Sequence, residues 1–139
     1  MRIRTAAWAA LAGLLLGTIL GCSNEPPMGD VEGMVTVDGK PAVMGAINFT
    51  PADGSLSPAG AEIKDGKYKL RVAVGNSKVE IRVPKKIGEK KLYNDPNSPV
   101  APVFDETLPA SANDASELKF DVKSGKNEKI WEMKSKGAK

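Results

Sequence analysis

The residues able to do covalent chemistry in this chain are few. There is no histidine and only one cysteine, Cys22, so Ser-His-Asp and Cys-His catalysis and the usual zinc sites are excluded. Acid–base work would fall to carboxylates, lysine or tyrosine. Asp105-Glu106 is the only adjacent acidic pair after Cys22, and neighbours on a strand point to opposite faces, which makes them a poor catalytic couple. Asn94-Asp95-Pro96-Asn97 offers oxygens without the spacing of a calcium loop and reads as a turn. No catalytic residue, metal or cofactor is therefore expected. The densest charge is Lys85-Lys86-Ile87-Gly88-Glu89-Lys90-Lys91-Leu92-Tyr93. Lys85, Lys86, Lys90, Lys91 and Tyr93 on a long loop of a rigid scaffold suit an anionic polymer, such as a cell-surface polysaccharide, or a phospholipid headgroup. The alternative is a loop that only solubilises.

The thiol has its own context. Arg2 and Arg4 precede an uncharged, almost wholly apolar run from Thr5 to Leu20, shorter than the ~20 apolar residues of a spanning helix. An exported protein with one thiol has no use for it in an internal disulfide. Ile19-Leu20-Gly21-Cys22 resembles the lipobox of bacterial lipoproteins. That resemblance implies a signal-peptide helix over residues 1–21, cleavage after Gly21, and acylation of Cys22 with a diacylglycerol thioether and fatty acids such as palmitate. Two or three acyl chains hold a protein stably, where one does not. Ser23, rather than aspartate, after the cysteine favours the outer over the inner membrane, so the expected address is the cell envelope.

The scaffold must then be read from the rest. The formal charge of +3 falls to +1 once the two leader arginines are removed, and nothing demands nucleic acid as a partner. Residues 22–30 form a polar tether. From Val31 apolar residues alternate with period two, as in strands with one wet face: Val31, Gly33, Val35, Val37; then Val43, Gly45, Ile47, Phe49; Ala59, Ala61, Ile63; Tyr68, Leu70, Val72, Val74; Val79, Ile81, Val83; Leu118, Phe120, Val122; and Trp131, Met133. Asp38-Gly39 predicts a type I′ hairpin, and Asp65-Gly66 a second turn. Pro84 to about Ala101 reads as irregular, Val103–Leu108 as a short edge segment, and Ser135–Lys139 as a disordered basic tail. No segment has helical period with caps. The reading is an all-β, antiparallel two-sheet sandwich of about seven strands over residues 31–134.

The residues Val31-Glu-Gly-Met-Val-Thr-Val-Asp-Gly-Lys-Pro41, Gly45-Ala-Ile-Asn-Phe-Thr-Pro51 and Asp65-Gly-Lys-Tyr68 resemble the carboxypeptidase regulatory-like (transthyretin-like) domain. Leu108-Pro109, Asn113, Ser116-Glu-Leu-Lys-Phe120, Val122 and Gly125-Lys-Asn127 resemble small planctomycete-type lipoproteins carrying it. Ala110, Ser111 and Ala112 stand where those relatives place a basic–aromatic pair before the asparagine. The resemblance implies a transthyretin-like or Ig-like Greek-key sandwich and no enzymatic activity. The expectation is a non-catalytic binding or structural module, held on the membrane by its lipid, with loops around residues 51–58 and 84–102 facing an envelope polysaccharide or another envelope protein. A carboxylate-dependent glycan hydrolase and a carrier of a small apolar ligand between the sheets are the alternatives.

Overall fold

A computed structural model describes residues 25–138. The expected signal peptide, Cys22, the first part of the tether and Lys139 lie outside the described residues. Ten strands follow in order: β1 Met28–Val37, β2 Lys40–Pro41, β3 Met44–Pro51, β4 Ala59–Lys64, β5 Lys67–Ala73, β6 Gly75–Arg82, β7 Pro84–Lys91, β8 Val100–Glu106, β9 Lys119–Val122 and β10 Gly125–Met133. One 3₁₀ turn, Ala110–Ala112, is the only helical element among the described residues. The chain is all-β, as the alternation predicts.

Both Asp-Gly turns form as their chemistry requires. Asp38 and Gly39 have φ of 50° and 78°, Asp65 and Gly66 of 49° and 80°, the paired positive values of a type I′ turn. The first joins β1 to the short β2. The second joins β4 to β5, which stay hydrogen-bonded only at Lys64 and Lys67 and then part into different layers.

The pairing order is β10-β1-β5-β4-β3-β6-β9, seven strands, with β2 beside β1. Laid flat, its two ends would stand about 29 Å apart at ~4.8 Å per strand. Instead the rings of Phe120 on β9 and Trp131 on β10 meet edge-on at 6.5 Å. The path therefore folds on itself at the β4–β5 turn into a sandwich, β10-β1-β5 on β4-β3-β6-β9. Every pairing is antiparallel except β1 with β10, which is parallel from Gly29–Gly125 to Val37–Met133.

The interior matches the alternating residues. Val31, Val35, Tyr68, Val72 and Trp131 from one layer close on Ile47, Phe49, Ile63, Val79, Ile81 and Val122 from the other. Two positions depart from expectation. Val43 is 76% exposed while Ala42 is buried, because the chain bends between β2 and β3 and Ala42 donates its N–H to the Val35 carbonyl at 3.0 Å. Val74 is exposed and Ser77 is buried, since β6 begins at Gly75 and brings Ser77 into the inward phase of Val79 and Ile81.

The sandwich has two distinct ends. β1 starts at one, beside Ala73 and Gly125; Val37, Met44 and Arg82 lie at the other, about 30 Å away at ~3.3 Å per residue along β1.

Candidate functional site

The stretch expected to be irregular is a second, two-stranded sheet, β7 against β8. Its register runs from Pro84–Glu106 at the root to Lys91–Val100 near the tip, with a bulge at Ile87 between Lys86 and Gly88. This corrects the reading of residues 84–101 as loop. The strands leave no alternation in the sequence because neither face is packed on the core: every residue from Lys85 to Asn97 is exposed. Their prolines fit, since a two-stranded ribbon has an open edge on each side where a missing N–H costs nothing. The result is an arm, about 23 Å long at ~3.3 Å per residue, leaving the sandwich at the end opposite the start of β1.

Its root is clamped. Glu106 Oε1 accepts the N–H groups of Val83 and Leu108, both at 3.0 Å. Thr107 donates its N–H to the Val83 carbonyl at 3.0 Å, and Lys136 its N–H to the Thr107 carbonyl at 2.8 Å. Lys136 Nζ pairs with Asp105 at 2.8 Å, and this hydrogen bond holds the Asp105 carboxyl below its ordinary value. The chain after β10 is thus not frayed at its start. Ser135 donates through its N–H and hydroxyl to the Asp38 carboxylate at 3.1 and 2.6 Å, so Ser135 and Lys136, expected in a disordered tail, are held on the fold.

The tip is self-satisfied. Leu92 donates its N–H to the Pro99 carbonyl at 2.9 Å, and Tyr93 its N–H to Ser98 Oγ at 2.8 Å. Asp95 Oδ1 accepts the Asn97 N–H at 3.1 Å, an Asx turn, as the Asn-Asp-Pro-Asn sequence predicts.

The register divides the five candidate residues. Residues paired across a ribbon share a face, so Lys86 and Lys91 lie with Phe104 and Val100 on one face, and Lys85 and Lys90 with Asp105 and Ala101 on the other. Tyr93 is at the tip. The four lysines do not form one patch; they ring the arm, two per face. Lys86 pairs with Glu89 at 2.6 Å, while Lys91 Nζ donates to the Asp95 and Pro96 carbonyls at 3.4 and 3.3 Å.

Sequence reasoning missed the apolar part of this site. Of nine large apolar side chains exposed among the described residues, five are on the arm (Ile87, Leu92, Tyr93, Val100 and Phe104) and two, Val43 and Met44, lie at its root. Val43, Met44 and Phe104 line a groove of about 370 Å³ that Lys40, Lys85 and Lys86 also border, with no carboxylate in its lining. Exposed apolar side chains usually stand singly on a protein surface; here they are concentrated beside cations. The only signal in the sequence was apolar residues set between prolines without alternation.

The carboxylates that would serve a hydrolase are otherwise engaged. Asp105 holds Lys136, Glu106 holds two backbone amides and Asp95 shapes the tip. Among the described residues no group of three or more metal-ligating side chains comes together, and no helix is long and apolar enough to cross a membrane. Comparison with family models, curated proteins and solved structures gives no match. The likeness to carboxypeptidase regulatory-like lipoproteins therefore rests on the motif residues alone.

Proposed function

We propose that this chain is a lipid-anchored, non-catalytic module of the cell envelope, related to the carboxypeptidase regulatory-like lipoproteins, whose β7–β8 arm recognises an anionic envelope component. Cys22 fixes the protein to the outer membrane through its acyl chains. The sandwich is a rigid scaffold, and the arm it carries at the end opposite the start of β1 is the recognition element. One observation carries this reading: seven of the nine exposed large apolar side chains gather on the arm and its root, interleaved with Lys40, Lys85, Lys86, Lys90 and Lys91. The sandwich core supports a scaffold rather than a carrier, since Ile47, Phe49, Ile63, Val72, Val79 and Ile81, at 0% exposure, fill the space between the layers.

Two measurements test it. Cells fed a clickable fatty acid should label the wild-type protein and leave Cys22→Ala unlabelled; label persisting on the alanine variant overturns the anchor. Envelope material retained by the wild-type protein should be lost when Lys85, Lys86, Lys90 and Lys91 are all changed to serine. Unchanged retention overturns the arm as the recognition element.

A further inference from the structure

We propose that the arm is a second membrane contact, its tip residues Leu92 and Tyr93 entering the headgroup layer of an anionic phospholipid bilayer while the arm lysines meet the phosphates. This rests on the reading of the arm as the recognition element and does not require acylation of Cys22.

The distribution of side chains around the ribbon favours a bilayer over other anionic partners. Phe104 and Val100 are exposed on one face, at 48% and 56%. Ile87 is exposed in the bulge and borders the groove of Lys85 and Asp105 on the other side. A protein docking on the arm would cover one face and leave the other wet. A fluid interface surrounds an inserted ribbon on every side. The lysines follow the same logic, with Lys85 and Lys90 on one face and Lys86 and Lys91 on the other, a collar rather than a patch. Long lysine stems lie along apolar surface while their ammonium groups reach the phosphates.

At the tip, Leu92 and Tyr93 lead into an exposed polar turn, Asn94–Asn97. Leu92 is 56% and Tyr93 69% exposed, an aliphatic and an amphipathic ring of the kind that settles at the membrane–water interface. Backbone groups carried into that layer need partners, and at the tip the N–H groups of Leu92, Tyr93, Asn97 and Ser98 and the carbonyls of Asp95, Pro96 and Pro99 have them. Lys86, Lys90 and Lys91 outnumber the two carboxylates there, Asp95 and Glu89, of which Glu89 pairs with Lys86 at 2.6 Å. A hydrated polysaccharide would use the lysines and leave Leu92, Val100 and Phe104 without a role.

The test uses the native full-length protein reconstituted into vesicles of phosphatidylcholine alone or mixed with phosphatidylglycerol. Each lysine's rate of modification by a water-soluble acetylating reagent is read by mass spectrometry. Lys90 and Lys91 should react about five-fold or more slowly on the anionic vesicles than on the neutral ones, with Lys69 and Lys129, which pair with Glu32 and Gly33 midway along the sandwich, unchanged. Leu92→Ser with Tyr93→Ser, both at exposed positions, should abolish that protection. Equal rates on the two vesicle types overturn the proposal, and if the protein stays bound to both, its anchor is untouched. Equal protection by soluble dextran sulfate also overturns it and leaves a polyanion-binding arm standing. Protection that rises with protein concentration in detergent alone overturns it in favour of a second copy of this chain.

Discussion

The hydroxyl of Tyr68 accepts a hydrogen bond from Trp131 Nε1 at 3.1 Å and donates one to the Lys129 carbonyl at 2.8 Å. Tyr68 is on β5 and Trp131 on β10, and the strand between them is β1. One side chain thus crosses the middle strand and ties the two outer ones together. Burial pushes the Tyr68 hydroxyl up to about 12. The sign follows from which state binds the proton more tightly. The folded value exceeds the unfolded value of about 10, so the stabilisation is complete below pH 10 and is lost as pH rises towards 12. Equilibrium unfolding across that range should show stability falling by on the order of 2–3 kcal/mol. Tyr68→Phe should flatten the alkaline fall and cost about 1–3 kcal/mol at neutral pH by leaving the indole N–H and the Lys129 carbonyl without this partner.

The crossing needs a missing side chain beneath it. Gly33 pairs with Tyr68 on one side and Lys129 on the other. A Cβ there would lie 1.8 Å from the Lys129 carbonyl oxygen and 3.0 Å from the tyrosine oxygen. The first contact is with backbone, so β10 itself must move. Gly33→Ala should therefore cost about 3 kcal/mol or more in denaturant unfolding. Gly88→Ala, on the arm with nothing within 4 Å of its Cβ, should change stability by less than about 0.5 kcal/mol.

Such positions mark how far the sequence could be read. Strands with one buried face announce themselves, and β1, β5 and β6 stand where alternation and the two Asp-Gly turns put them. Gly33 passed as an ordinary inward position, because the reason for a glycine there is a tyrosine 35 residues later whose path only the fold reveals. The parallel partnership of β1 with β10 left no mark either, since side-chain period is the same in both ladder types. The arm was legible in its lysines and illegible as structure. Two strands that bury neither face have no reason to alternate, and their prolines mimic a loop.

Asn127 secures the parallel ladder where it starts. Its Oδ1 accepts the Lys123 N–H at 2.9 Å, and its Nδ2 donates to the Lys123 and Gly125 carbonyls at 2.7 and 3.1 Å and reaches the Asp30 carbonyl at 3.3 Å. The side chain is buried. Asn127→Asp keeps the shape but replaces a donor with an acceptor facing three carbonyls. It should cost about 2–4 kcal/mol, and Asn127→Ala about 1–3 kcal/mol. Chemical denaturation ranks them; an aspartate no worse than the alanine would show that the donor function is not what matters.

Glu106 separates a structural carboxylate from a catalytic one. Glu106→Gln retains an amide oxygen for the Val83 and Leu108 N–H groups and should fall within about 1 kcal/mol of the parent, while Glu106→Ala strands both donors and should cost about 2 kcal/mol. A hydrolase that used this residue would behave differently, because glutamine removes its acid or base outright. Stability ordered parent, glutamine, alanine, with glycan turnover absent from all three, is the expected outcome. Turnover in the parent that the glutamine variant lacks would establish the enzyme.

The link between the β1–β2 turn and the arm root predicts a response to acid. The Ser135 hydroxyl and N–H hold the Asp38 carboxyl below its ordinary value of 3.8. With the folded value lower than the unfolded one, the contribution is fully present above about pH 4 and disappears as pH falls through the folded value. Protonating Asp38 weakens its hold on Ser135, and the next residue, Lys136, then loses support for its N–H bond to Thr107 and its pairing with Asp105. Amide exchange at Ser135 and Lys136, corrected for intrinsic rates, should accelerate below pH 4 while the core strands stay protected. Asn tolerates the positive φ that this position requires, so Asp38→Asn should keep the turn, remove the acid step and show the faster exchange already at neutral pH. If the variant still showed the acid step, the switch would have to lie in Asp105, whose pairing with Lys136 titrates in the same direction.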